Sequence, residues 1–164
     1  MAIGNSPCPP FNKLLGLNDP RFIITIDTTK AGSANDRFIL PVNAAYVYDY
    51  YVDWGDGGAE QHIIVNTNQT HIYPAPGTYQ IRIRGTFPSI YFANLGDRLK
   101  LMSIDNWGLI HWLSGNGMFY GCNNMVAKYT DIPDFTAVTD CKDTFRDCNL
   151  FNGRVDYMVN SHCT

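Results

Sequence analysis

The side chains of this 164-residue chain with the most chemical potential are carboxylates, imidazoles and thiols gathered at a few points. Asp53, Asp56 and Glu60 form a candidate calcium set. Their Asp-x-x-Asp-Gly spacing misses the alternating oxygen positions of an EF-hand loop. The competing reading has Asp56 accepting from backbone amides inside a tight turn. His62 and His71 are a candidate metal pair across a loop, with no third ligand evident. His111 beside Trp112 and His162 beside Cys163 read as ordinary side chains. The five cysteines are Cys8, Cys122, Cys141, Cys148 and Cys163. They are odd in number and contain no Cys-x-x-Cys pair, which removes the usual zinc-ribbon and thioredoxin signals. A thiol hydrolase needs a thiolate beside a base held by a third group, and no nucleophile motif is present. Ser114-Gly115-Asn116-Gly117 is rich in glycine but lacks the lysine of a phosphate loop. No catalytic residue, metal or cofactor is therefore expected, and the chain reads as a non-enzyme. A cysteine-dependent enzyme is the outlying alternative.

The elements that must carry these residues are β in character. Of all residues, 45% are hydrophobic and 16% charged, which is enough apolar material for a core and too little charge for a disordered tail. A formal charge of −3 argues against nucleic-acid binding, which normally needs a basic field. No apolar run approaches the length of a transmembrane helix, so membrane insertion is not expected. The start, Met1 to Pro7, has no basic flank or apolar stretch, so no secretory signal peptide is expected. Reduced thiols are then the default. Fourteen Gly, nine Pro and 22 aromatic residues favour short strands and turns. No long helix with period 3.6 is visible.

Residues 1–20 read as an arm. Pro7, Pro9, Pro10 and Pro20 oppose regular structure, and Phe11, Leu14, Leu15 and Leu17 give it an apolar face. Such an arm docks on its own domain or on a neighbouring subunit. Strands are expected at 22–26, 37–40, 46–54, 61–65, 71–73 and 78–85. Turns are expected at Gly55-Asp56-Gly57-Gly58 and Pro74-Ala75-Pro76-Gly77. Tyr46, Tyr48 and Tyr50 share one face, read as the inner side of a sandwich rather than a stacking platform. Asn68-Gln69-Thr70 is a formal glycosylation sequon.

Residues 87–164 have short apolar pieces and few alternating strands. Met118 to Met125 aligns with Thr144 to Phe151 at an offset of 26, with Phe, Cys and Asn coinciding. At the same offset Trp112 falls on Val138 and Asp105 on Asp131. A fixed period in the twenties marks stacked solenoid coils. Phe119, Cys122, Phe145 and Cys148 would then form a ladder across neighbouring coils. The two thiols read as buried small apolar groups, with a disulfide between them as the alternative.

Two family resemblances follow from these residues. Asp53-Trp54-Gly55-Asp56-Gly57, then His71-Ile72-Tyr73, then Pro76-Gly77-Thr78-Tyr79, resembles the immunoglobulin-like domain of polycystic-kidney-disease type over about residues 21–86. There the His before Tyr is a packing and hydrogen-bonding residue. Met118-Phe119-Tyr120-Gly121-Cys122, Pro133-Asp134-Phe135 and Thr144-Phe145-Arg146-Asp147-Cys148 look like BspA-type leucine-rich repeats, with Thr144, Cys141 and Asp147 departing from the pattern. The expected chain is mainly β: an arm (1–20), an immunoglobulin-like β-sandwich (21–86) and a short leucine-rich-repeat-like cap (87–164).

This order is similar to modules of bacterial surface proteins and phage-borne proteins, and implies display and assembly. The expected function is a structural subunit of a phage virion, such as a capsid decoration, head fibre or tail-surface protein. The virion surface is the expected location, reached from the host cytoplasm by lysis. Expected partners are other virion or surface proteins, further copies of the chain, and a host-surface ligand. A bacterial cell-surface or secreted adhesion module is the alternative.

Overall fold

A computed structural model describes residues 19–156. The structure is mainly β, as the composition implies, with eight strands and one 3-10 turn among the described residues. The strands are β1 (Phe22–Asp27), β2 (Arg37–Leu40), β3 (Asp49–Asp53), β4 (Gln61–Ile63), β5 (Gln69–Ile72), β6 (Thr78–Thr86), β7 (Leu101–Asn106) and β8 (Val126–Ala127). Six of them form one sheet in the order β4-β3-β6-β1-β7-β8, and β2 pairs with β5 in a second sheet. No described helix is long and apolar enough to cross a membrane.

Alternation builds the first sheet. Ile81 and Ile83 of β6 are buried, while Arg82 and Arg84 point to the other face. The same period buries Phe22, Ile24 and Ile26 of β1 opposite them, in antiparallel register Ile24 to Ile81. Phe38 and Leu40 of β2 enter the same core.

The third expected strand, 46–54, is regular only from Asp49. Tyr46 N instead closes a turn on the Asn43 carbonyl, and the Tyr48 hydroxyl takes the Asn43 amide and donates to the Ser89 carbonyl. Those local bonds satisfy the backbone that a longer ladder would have used. Tyr48 and Tyr50 are buried in the core, and Tyr46 packs against it partly buried.

β7 was not expected as a strand. Leu101, Ser103 and Ile104 are all buried, so the segment has no polar face to reveal a period of two. It pairs antiparallel with β1, so the main sheet and a single hydrophobic core both run across residue 86.

Beyond β7 the chain winds into coils. β8 lies parallel to β7, and His111 bridges Asp134 in parallel fashion. The amides of Gly115, Gly117, Phe119 and Gly121 donate to the carbonyls of Asp140, Lys142, Thr144 and Arg146 at 2.8–2.9 Å, each 25 residues ahead. The offset of 26 read from side chains is therefore a backbone repeat, with each amide reaching the residue before its equivalent. Left-handed backbone recurs with it: Gly117 (φ 57°) matches Asp143 (58°), and Gly121 (83°) matches Asp147 (55°). Asp tolerates this region better than most residues, which is how Asp147 stands where glycine would be expected.

The structure adds an earlier coil that the sequence comparison missed. Phe92, Ala93 and Asn94 donate to the carbonyls of Met118, Gly117 and Tyr120. A column of rings results, from Phe92 through Phe119 and Phe145 to Phe151. The last two contacts are stacked, at 5.6 and 4.2 Å between ring centres.

Candidate interaction surface

The turn residues and the later His-x-Tyr converge on one end of the first sheet. Asp53 accepts from the Gly55 amide at 2.9 Å and faces Arg82 at 3.3 Å. Asp56 accepts from the Gly58 amide at 3.0 Å and meets His71 Nε2 at 2.8 Å. The Gly58 amide, and then His71, hold the Asp56 carboxyl below its ordinary value. The Trp54 indole lies flat on His71, 4.7 Å away and 7° from parallel. Tyr73 meets His71 edge-on and stacks on Tyr79 at 3.8 Å, while its hydroxyl donates to the Trp54 carbonyl. Gly77 exchanges bonds with Thr28, anchoring the second turn on the end of β1.

Each group is engaged by another protein group, and Trp54 and Tyr73 are buried. The cluster is a latch joining two turns to the sheet. The candidate calcium set does not assemble, because Glu60 instead pairs with Arg84. The candidate His pair is also divided: His62 binds Asp49 at 2.7 Å and stacks on Tyr51. Among the described residues there is no group of three or more His, Cys, Asp or Glu placed to hold a metal.

In the coil stack, Phe119 and Cys122 are fully buried, and Phe145 packs partly buried against the same core. Cys122 and Cys148 are free thiols. Burial raises Cys122 well above the ordinary thiol value and pushes Cys148 up to about 11. Cys148 Sγ also donates to the Phe119 carbonyl at 3.0 Å. Cys141 is disulfide-bonded, which departs from the expectation of reduced thiols. The arm residues Phe11, Leu14, Leu15 and Leu17 lie outside the described residues.

Sequence reasoning missed a buried polar cluster that joins the β1–β2 loop to the start of β7. Lys100 Nζ donates to the carbonyls of Ser33, Ala34 and Arg37 and to Ser33 Oγ, at 2.8–3.1 Å. Asp97 accepts from the Ser33 amide, the Ser33 hydroxyl and the Ile39 amide at 2.6–2.7 Å. A serine 2.9 Å from a lysine invites comparison with a Ser-Lys nucleophile. The proton pattern opposes that chemistry, since Ser33 Oγ gives its hydrogen to Asp97 and the ammonium is spent on carbonyls. The residues involved lie 58–67 positions apart, so no local motif marks them.

A cleft of about 220 Å³ opens beside this cluster, among Pro41, Tyr91, Leu95 and Gly96. A second, of about 180 Å³, lies among Tyr129, Ile132 and Gly153. Both fall below the usual size of a small-molecule site.

The surface offers more for a macromolecular partner. At the open end of the β3–β4 hairpin, Val47, Ile64 and Val65 are 83%, 68% and 47% exposed. The pairing of Tyr50 with Ile63 brings these residues to the same end, and Asn66 ties the two chain segments through the Ala44 carbonyl. No sequence signal distinguished these aliphatics from core residues, because β propensity is the same for both.

No protein-family model, curated protein or solved structure matches this chain.

Proposed function

We propose that this chain is a non-enzymatic structural and display subunit of a phage virion that acts by protein–protein assembly. In this reading an immunoglobulin-like sandwich of polycystic-kidney-disease type carries a short leucine-rich-repeat-like stack, with the arm of residues 1–20 as a further docking element. The convergence of Trp54, Asp56, His71, Tyr73 and Tyr79 supports the first half of that fold reading. The 25-residue amide-to-carbonyl ladder supports the second.

The observation that carries the functional reading is the aliphatic rim of Val47, Ile64 and Val65. Large aliphatic side chains grouped at an open hairpin end expose apolar area that a partner can bury. The thiols held neutral by burial, and the lysine committed to carbonyls, favour a structural role over a nucleophilic one.

The test is co-sedimentation of the purified chain with particles from the source that encodes it. The expected result is saturable binding, lost on deleting residues 1–20 or on charging the rim. Absence of the chain from purified particles, together with no binding to them, overturns the reading. A bacterial surface or secreted adhesion module is the second reading. The disulfide at Cys141 favours it, because such bonds persist in oxidising surroundings. Binding to whole cells but not to particles would select it.

A further inference from the structure

We infer that the N-terminal arm docks on its own chain, where its leucines Leu14, Leu15 and Leu17 cover an apolar seat made by Leu109 and Ile132. The inference goes beyond the assembly reading and does not depend on it. Leu109 is 81% exposed and Ile132 66%. The Asp131 carboxylate accepts from the Trp107 and Gly108 amides at 2.8–3.1 Å. His111 bridges Asp134 in parallel fashion just beyond. These contacts set Leu109 and Ile132 side by side on neighbouring coils.

The point where the arm joins the described chain identifies the occupant. Asn106 Nδ2 donates to the Asp19 and Arg21 carbonyls at 2.7 Å, and the Leu109 amide donates to the Pro20 carbonyl at 2.8 Å. Gly108 approaches the Pro20 and Arg21 carbonyls so closely that a Cβ there would run into them. The arm therefore starts beside Leu109. Leu17 stands three residues before Pro20, so its Cα lies at most about 11 Å from that of Pro20. Leu14 and Leu15 lie within about 22 Å. So short a tether holds the leucines at a high effective concentration over the seat. Among the described residues, no other exposed aliphatic residue is hydrogen-bonded to residues 19–21.

Composition agrees with position. Phe11, Leu14, Leu15 and Leu17 are four large apolar side chains within seven residues, an apolar area that needs cover. Lys13 is the only charged side chain among residues 1–18. Residues 107–113 and 131–138 contain Asp131 and Asp134 but no Lys or Arg. The one charge of the arm thus meets charges of opposite sign. The other aliphatic rim, at Val47, Ile64 and Val65, adjoins β4, which lies three strands from β1. That is about 14 Å across the sheet, so Leu109 is the nearer seat for Leu17.

The experiment places the photoreactive residue p-benzoyl-phenylalanine at position 109 of the full-length chain. Ordinary and isotopically heavy copies are mixed and irradiated, and the cross-linked peptides are identified by mass spectrometry. The expected product joins position 109 to residues 11–17 of the same copy. Cross-links between light and heavy copies, cross-links to residues 157–164 instead, or none to the arm overturn the inference. A second measurement compares the thermal midpoints of Leu17→Asp, Leu109→Asp and the double variant. Each single change should lower the midpoint by several degrees, and the double variant should fall no further than the worse single one. An unchanged midpoint for Leu109→Asp is the behaviour of a side chain that stays in water, and it overturns the seat. Additive losses overturn the pairing of Leu17 with Leu109. Both measurements use the chain alone, so the particle-binding test judges the assembly reading independently.

Discussion

Lys100 Nζ stands 3.9 Å from Asp97 Oδ1, and neither side chain reaches solvent. The pair is bound less to itself than to the β1–β2 loop, because Lys100 takes three carbonyls and Asp97 takes two amides from residues 33–39. Burial lowers the Lys100 pKa, and the Asp97 charge opposes that shift. Three carbonyls leave the ammonium well solvated by protein dipoles. Removing the lysine would strand a buried carboxylate together with those carbonyls. Lys100→Met should therefore cost about 3–5 kcal/mol, the range for breaking one side of a buried pair. Urea unfolding measures this, and a loss below about 1 kcal/mol would show that water replaces the ammonium.

The glycines of the first turn separate two kinds of cost. Gly55 has φ 81°, and a Cβ there would run into the Gln80 carbonyl. Gly57 has φ 86° with open space around it. Gly57→Ala should lose only the left-handed penalty of about 1–2 kcal/mol. Gly55→Ala should lose clearly more, with the Trp54–His71 stack disturbed. Thermal unfolding of both variants and the near-ultraviolet circular dichroism of Trp54 provide the readout. Equal losses would mean that the turn moves away from Gln80 freely.

Acid should unfold the protein through specific carboxylates. Asp56 is held low by the Gly58 amide and then His71, Asp134 by the Thr136 hydroxyl and then His111, and Asp140 by Asn116 and then the Lys142 amide. Each folded carboxyl sits below the unfolded value of ~3.9, so the folded state binds fewer protons. The stability they contribute is complete above that value and is lost as pH falls through the folded ones. The thermal midpoint should change little with these groups near pH ~6 and drop below pH ~4. Asp56→Asn should start lower at neutral pH and fall less steeply. An acid slope identical to wild type would remove Asp56 from the account.

Cys122 and Cys148, the free thiols among the described residues, should resist alkylation in the native state. With Cys148 near 11, its thiolate fraction at neutral pH is roughly 300-fold below that of an ordinary cysteine near 8.5. Cys122 adds complete burial. Iodoacetamide followed by intact-mass analysis should label neither quickly in buffer and both in urea. Rapid native labelling of Cys122 would mean that the coil stack opens on the minute scale.

Legibility followed the range of the interaction. β6 was readable because one face is apolar and the other polar from Tyr79 to Arg84, and β1 because Phe22 to Ile26 have high β propensity. β7 was not, because Leu101, Ser103 and Ile104 are all buried and the alternation disappears. The offset between Phe119 and Phe145 was visible because ring and thiol positions repeat. The earlier coil at Phe92 was hidden, since its residues keep the backbone path but not the Phe-x-x-Cys spacing. The turn chemistry of Asp56 was predictable from Gly57 and Gly58. Its partnership with His71, 15 residues away, came only with the resemblance and the packing.

Local preference, alternation and repetition are properties of neighbours along the chain, so the sequence alone determined the mainly-β character, most strand positions and the period of the coils. Contacts between distant segments depend on which surfaces the backbone brings together. Tertiary structure alone decided that β7 closes on β1 and that Lys100 is caged by the β1–β2 loop. It also decided that Ile64 and Val65, indistinguishable by type from core residues, remain outside. An aliphatic side chain is buried or exposed according to what lies opposite it, and past the end of β4 the described chain leaves Ile64 and Val65 68% and 47% exposed.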